Sequence, residues 1–429
     1  QMLALLDEFN LTERSKVWLD AYEYHYREEL FQALRANRNR GRWARRDKRP
    51  QAQVVFCIDE REESIRRHLE EINPAIETLG AAGFFGIPMN YKGLDDHHRT
   101  ALCPVVVTPA HEVDEIPRKG ADEVLHAHNS GRNLYKRLAY LLNQSLRRNV
   151  LLSYAAIDAL APFTLATLLS KTFLPTYFNA ANSNLRQNIL RKVPTELLFT
   201  AADTAGPATP ENPRLGFTTT EQADRLAGFL RNAGLAYGFA PIVCFMAHGS
   251  TSQNNPHEAA HDCGACSGRR GGPNARVFAA MANRPEVRAL LVQRGIVIPE
   301  DSWFVGAEHD TSSDVVTWYD VEDVPQKLRS AFDDCQTCVL QARAASAQER
   351  CRRFFSARNP ASPEAAMRHV TNRSNDLSQV RPEYGHATNA SAVIGRRSVT
   401  QGIFLDRRAF LISYDATQDP DGKLLENVL

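Results

Sequence analysis

The stretch QAQVVFCIDEREESIRRHLEEI, residues 51–72, decides the fold. Val54 to Ile58 is an unbroken apolar run rich in β-branched residues, the mark of a strand buried on both faces, and EESIRRHLEEI after it has helical periodicity. A strand covered on both faces needs helices on both sides, so this strand, tight turn and helix open an α/β unit. The turn carries Cys57-Ile58-Asp59-Glu60-Arg61. Alternate side chains of an extended chain share a face, which lets Cys57, Asp59 and Arg61 point the same way.

Working outward, the second half repeats this logic. Thr219 with Gln222 reads as a capping box for a helix ending near Gly234, and APIVCFMA (240–247) is a second buried strand with His248 at its exit. RVFAAMANRPEVRALLVQRG (276–295) reads as two short helices and DSWFVGAEHD (301–310) as another strand. Shorter strands are expected at GFFGIPM (83–89) and CPVVVTP (103–109), with a mostly helical block from about Asn133 to Lys192. The expected fold is α/β with a mostly parallel sheet. Residues 1–50 read as a helical arm and basic linker, 51–330 as an α/β metal-binding domain with a helical insertion at about 133–235, and 331–429 as a C-terminal helical and mixed region. There is no internal repeat.

With 429 residues, 43% of them hydrophobic, the chain has ample material for a core. Fifty-one basic and 50 acidic side chains leave a net charge of +1, so no global field gathers nucleic acid or anionic lipid. Residues 11–36 read as an amphipathic helix, and the eight Lys/Arg from Arg35 to Arg49 as a solvated linker, since Trp43 alone offers a stacking platform for a nucleic acid. Eight cysteines are too sparse for a disulfide framework and suit a reducing, cytoplasmic compartment. Leu151 to Pro175 is the most apolar region; Asp158, Pro162 and Lys171 interrupt it, and the uncharged run Ala159–Ser170 is too short to span a bilayer, so a core helix, or at most one facing a partner, is expected. A start at Gln1 and a stop after DATQDPDG point to a fragment of something longer.

In open α/β sheets function collects beyond the carboxyl ends of the strands, and here two strands end in metal-ligand residues. After His248 comes GSTSQNNPHEAAHDCGACSGRRGGPNAR, a long loop with five glycines that a metal ion held by Cys263 would tie down. Cys57, Asp59, His248 and Cys263 offer two thiolates, a carboxylate and an imidazole, a sensible tetrahedral zinc shell. The 14 residues between His248 and Cys263 match no standard finger.

Two other metal readings compete. His257, Glu258 and His261 spell H-E-x-x-H, a zinc metallopeptidase motif that needs a long helix; Pro256 before it and Cys263-Gly264 after it leave about one and a half turns. Cys263/Cys266 with Cys335/Cys338 would make a non-catalytic four-cysteine zinc scaffold, although the second pair lies in a strongly helical stretch where helix packing accounts for it. His309 and Asp310 either line the pocket or are surface polar residues; His97 and His98 read as loop residues; Glu60, Glu62 and Ser64 lie beside the metal signature with roles the sequence does not separate.

The runs FCIDEREESIRRHLE, GFFGIPM, CPVVVTP, HGSTSQNNPHEAAHDCGACSGRRGGPNAR and RPEYGHATNASAVIGRR resemble the DabA family, the large carbonic-anhydrase-like subunit of a bacterial inorganic carbon pump. The resemblance runs from about Gln51 to the end, and family members are longer than this chain. It implies a zinc site like that of β-carbonic anhydrases, whose C-x-D-x-R signature stands here as Cys57, Asp59 and Arg61, with His248 and Cys263 as remaining ligands and a related sheet. It also implies a polytopic, DabB-like membrane partner related to the proton-translocating subunits of respiratory complex I, and a peripheral place on the cytoplasmic face of the inner membrane in a CO2-concentrating system. Since four protein ligands would close a zinc site, Asp59 is expected to toggle between the metal and Arg61, making both residues catalytic and CO2 hydration conditional on the partner. The chain itself is expected to contain no transmembrane segment.

Overall fold

A computed structural model describes residues 9–38, 48–145, 148–359 and 361–428, so most of the basic stretch after Arg38 lies outside the described residues. The architecture is mixed α/β. Strand β1 (Ala52–Cys57) is buried along its whole length. It is followed by helix Glu63–Ile72 and by β2 (Ile76–Ala81), which pairs parallel to it. Next come β3 (Met89–Lys92), β4 (Thr100–Leu102), β5 (His111–Pro117), β6 (Thr195–Leu198) and β7 (Arg214–Leu215), which form a separate sheet in the order β4-β3-β5-β6 with β7 also on β5. Strands β8 (Ile242–Gly249), β9 (Trp303–Asp310) and β10 (Val315–Trp318) complete the main sheet, β10-β9-β8-β1-β2. Within it only β10 runs antiparallel.

The period-2 alternation of the buried strands feeds two cores. Val55, Val243 and Phe245 pack under helices Thr219–Asn232, Gly272–Ala282 and Pro285–Gln293. Val54, Phe56, Cys244 and Met246 face the other way, against helices Glu63–Ile72 and Arg329–Cys351. Two further strands, β11 (Ser391–Gly395) and β12 (Ala409–Ser413), pair parallel and lie against β2 and the turn after β1. Leu411 N donates to Ile58 O at 3.3 Å and Gly80 N to Ser413 Oγ at 2.8 Å, so the last fifty residues cap the unit that the opening stretch begins.

Several expectations change. GFFGIPM is a turn: Phe85 and Gly86 have φ of 48° and 70°, which no strand tolerates, and β3 starts only at Met89. CPVVVTP forms no strand, and Val105 and Val106 are 82% and 89% exposed; two prolines remove ladder donors and no neighbour is there to pair with. The capping box is Thr218 with Glu221, one residue earlier than read, while Gln222 is buried and donates to Phe217 O. Helix Val150–Phe173 is no core helix, for its large apolar side chains are exposed. Helix Leu11–Asn37 likewise has no buried residue.

His309, one strand over from His248 in register, is neither pocket lining nor surface. Its ring bridges Glu62 (Nδ1, 2.9 Å) and Asp314 (Nε2, 3.0 Å), and Asp314 also binds Arg350. This buried network fixes the turn Glu60–Glu62 onto β9. Burial alone would lower the His309 pKa, but Glu62 and Asp314 push it up to about 10. The protonated ring therefore stabilises the fold fully below the unfolded value of about 6.5, and that contribution is lost as pH rises toward about 10. His309→Leu leaves two buried carboxylates without their shared partner and is expected to lower unfolding free energy by about 3–5 kcal/mol and to remove this alkaline pH dependence in urea melts. A loss below about 1 kcal/mol would show the network to be dispensable.

Candidate metal centre

Sheet order reverses at β1, with β2 on one side and β8 on the other, which opens a crevice at their carboxyl ends. Cys57 is the last residue of β1 and His248 the last but one of β8, and the parallel register of Phe56 with Met246 brings the two exits together. The third member arrives on the loop. Gly271 N donates to His248 O at 3.0 Å and Asp262 Oδ1 accepts from Ser250 N at 2.8 Å, pinning both ends of the excursion. Inside it, Cys263 N donates to Arg269 O while Cys263 O accepts from the Cys266 and Gly268 amides, a tight reversal that uses positive φ at Ser267 and Gly268.

The outcome is a buried trio. The sulfurs of Cys57 and Cys263 and a ring nitrogen of His248 all lie within 4.8 Å of one another. His248 is fully buried, and neither ring nitrogen makes a well-formed hydrogen bond, although the Asp59 carboxylate and the Cys57 sulfur lie beside the ring. Cys263 and burial hold the Cys57 thiol well above its usual range, and Cys266 with burial does the same for Cys263. A soft, doubly charged ion with two sulfur ligands and one nitrogen ligand fits this donor set.

Asp59 stands beside the trio without joining it. Arg61 grips the carboxylate through two bonds, Nε to Oδ1 at 2.7 Å and Nη2 to Oδ2 at 2.8 Å, and Oδ2 lies 3.4 Å from His248 Nε2. Burial would raise the Asp59 pKa, but Arg61 and His248 outweigh it and hold the group below the usual carboxylate range. Burial likewise opposes protonation of His248, and Asp59 and Cys57 reverse it, to about 9.

Arg61 has a second carboxylate that the sequence reading missed. Glu383 Oε1 accepts from Arg61 Nη1 at 3.1 Å and also from Ser250 Oγ, with His261 Nδ1 at 3.7 Å. The side chains of Asp59, Arg61 and Glu383 are only 2%, 3% and 2% exposed. His386 was missed as well: its Nδ1 lies 3.0 Å from Glu60 and its Nε2 3.6 Å from Asp59 Oδ2, and its ring reaches the surface. Both stand in RPEYGHATNASAVIGRR, where Glu383 and His386 on either side of Gly385 were the available signal. The roles of Glu60, Glu62 and Ser64 now separate, onto His386, His309 and Glu349 respectively.

The competing metal readings lack their geometry. Glu258–Ala260 is one turn of 3-10 helix, so His257 and His261 share no α-helical face, and His261 turns toward Glu383. Cys335 packs in the core beside Cys244 and Cys338 accepts from Asn73, away from Cys263 and Cys266. His97 and His98 are exposed loop residues. Asp310 anchors the loop, accepting from Thr251 N at 3.1 Å.

A family model described as "Probable inorganic carbon transporter subunit DabA" matches residues 3–429. Proteins of that name from Methylococcus capsulatus and Nitrosococcus oceani are 58% and 53% identical over the whole chain, which covers 40% and 38% of their lengths. One from Dechloromonas aromatica is 50% identical over 97% of the chain, covering 41% of its own length. The chain thus spans about two fifths of the length of the curated relatives it matches. No solved structure matches it.

Gly83 closes the trio from one side, where a Cβ would come within 2.7 Å of Cys263 Sγ and 3.0 Å of Cys57 Sγ. Gly83→Ala is expected to destabilise by about 1–3 kcal/mol, whereas Gly264→Ala, with open space around it, stays within about 0.5 kcal/mol, in thermal or urea unfolding. Equal effects of the two would contradict this packing.

Proposed function

The chain belongs to the DabA family, and from that premise we propose that it forms the carbonic-anhydrase-like zinc region of a subunit of an inorganic carbon pump. In this reading it hydrates CO2 to bicarbonate in one direction, on the cytoplasmic side, and only when a polytopic membrane partner drives the site open. The observation that carries it is the buried trio Cys57, His248 and Cys263, beside a carboxylate clamped by arginine.

Cys57, His248 and Cys263 would hold the ion. When bound, zinc supplies the Lewis acidity that brings the pKa of water toward neutrality, the chemistry required for addition to CO2. The remaining work falls to the protein. Asp59 Oδ2, close to His248, accepts a hydrogen bond from the reacting water and orients it toward CO2, while Arg61 holds the carboxylate away from the metal. With Asp59 on Arg61 a bound ion would keep a position open to water, and Asp59 turned to the ion would fill it. Glu383 gives Arg61 a counter-charge that persists when Asp59 leaves, so the guanidinium is never buried unpaired. His386, between Asp59 Oδ2 and the surface, offers a path for the released proton.

Zinc is expected at one equivalent in the purified chain and in Cys266→Ser, and to be lost from Cys57→Ala and His248→Ala, by metal analysis. Full occupancy in either alanine variant would sink the assignment. Arg61→Ala should keep zinc yet abolish carbon uptake in cells carrying the full-length protein and its partner. Glu383→Gln should keep zinc and lower uptake at least about tenfold, since a buried charge pair is broken. Rapid CO2 hydration by the chain without its partner would count against gating, and unchanged uptake in Arg61→Ala would refute the pair.

A further inference from the structure

Helix Val150–Phe173 belongs to neither core. Val150, Leu151, Ile157, Leu160, Phe163 and Phe173 are 81%, 84%, 67%, 38%, 71% and 73% exposed. At one residue every 100° they point to all sides, leaving no gap wider than roughly 100°. A helix docked on a protein surface needs one apolar stripe, and a water-facing helix none; one that is apolar all round belongs inside an apolar medium. Helix Leu11–Asn37 is the contrast, equally unburied but studded with charge, as water demands.

Four of its hydroxyls are already satisfied within the helix. The hydroxyls of Ser153, Thr164, Thr167 and Thr172 each donate to a backbone carbonyl one turn back, at 2.8–2.9 Å, so they ask nothing of the surroundings. Of the two charged side chains, Lys171 lies near the end with its ammonium 5.3 Å from the Phe178 ring centroid, where it can snorkel; Asp158 is the one costly group. Twenty-four residues rise about 36 Å, enough for a hydrocarbon core of about 30 Å. Among the described residues, Ser153–Phe173 is the one stretch whose length and composition alone would let it cross a bilayer. Polar tethering to the body comes from the next helix, Pro175–Ile189, through Thr176 to Asn372 and Asn179 to Asn375, both at 2.8 Å.

We infer that helix Val150–Phe173 enters the hydrocarbon of a lipid bilayer and fastens this chain to the membrane directly. The inference stands on the helix alone, so it survives or fails independently of the metal centre. The test adds a tryptophan in turn at Leu151, Leu160 and Phe163, exposed positions whose substitution leaves the cores untouched, and mixes each 429-residue variant with neutral phosphatidylcholine vesicles carrying doxyl-labelled acyl chains. The expected result is flotation with the vesicles and quenching of the added tryptophan at all three positions. Leu160→Lys with Phe163→Lys should weaken vesicle partition at least about tenfold while leaving zinc content and circular dichroism unchanged. Two results would overturn the inference: no flotation of a chain with intact circular dichroism, which assigns the apolar surface to another protein or to the rest of a longer chain, or quenching at one position only, which describes a helix lying on the surface.

Discussion

A guanidinium buried between two carboxylates governs how this protein is put together. Asp59, Arg61 and Glu383 are all sequestered, and a charge sealed away from water needs an opposite charge held beside it. That requirement recruits distant parts of the chain. Arg61 Nη1 also donates to His261 O and lies 3.4 Å from Thr311 Oγ1, while Glu383 takes Ser250. The turn after β1, the exits of β8 and β9, the glycine-rich loop and the segment around residue 383 therefore meet at one guanidinium. The candidate donor trio sits on the other side of Asp59, so the carboxylate faces both the charge network and the trio.

This arrangement explains why the pair is suited to a switch. Two bonds hold Asp59 to Arg61, but Arg61 keeps Glu383 whichever way Asp59 turns, which makes the loss of one carboxylate tolerable. Beneath it, the network of Glu62, His309, Asp314 and Arg350 holds the turn itself rigid. The gating proposed for Asp59 asks for a carboxylate that moves on a turn that does not. The apolar helix lies in a different part of the chain, so the membrane attachment inferred for it and the chemistry proposed for the site draw on separate residues.

Much of this was legible in the sequence because it is written in short, strong signals. Unbroken apolar runs at Val54–Ile58 and 240–247 announced the central strands, and Cys57 and His248 at their ends nominated the site. Cys263 could be placed because a long glycine-rich loop needs a tether. What was not legible depended on partners far along the chain. Glu383 and His386 reach the site because the segment around Gly385–Thr388 folds back onto the turn Glu60–Glu62, a contact with no local signature. The capping box slipped by one because Thr218, Thr219 and Thr220 are adjacent and Glu221 and Gln222 both fit the pattern; the ion pair of Arg214 with Glu221 selects the frame. CPVVVTP has strand propensity but no strand beside it, and propensity alone builds no sheet.

The central claim is that two thiolates and one imidazole hold the metal while Asp59 rests on Arg61. X-ray absorption at the zinc edge of the zinc-loaded chain addresses it directly. Two sulfur scatterers at about 2.3 Å with two nitrogen or oxygen scatterers at about 2.0–2.1 Å are predicted. A shell of three or four sulfurs, which would bring in Cys266, or a shell without sulfur, as at His257 and His261, would contradict the account.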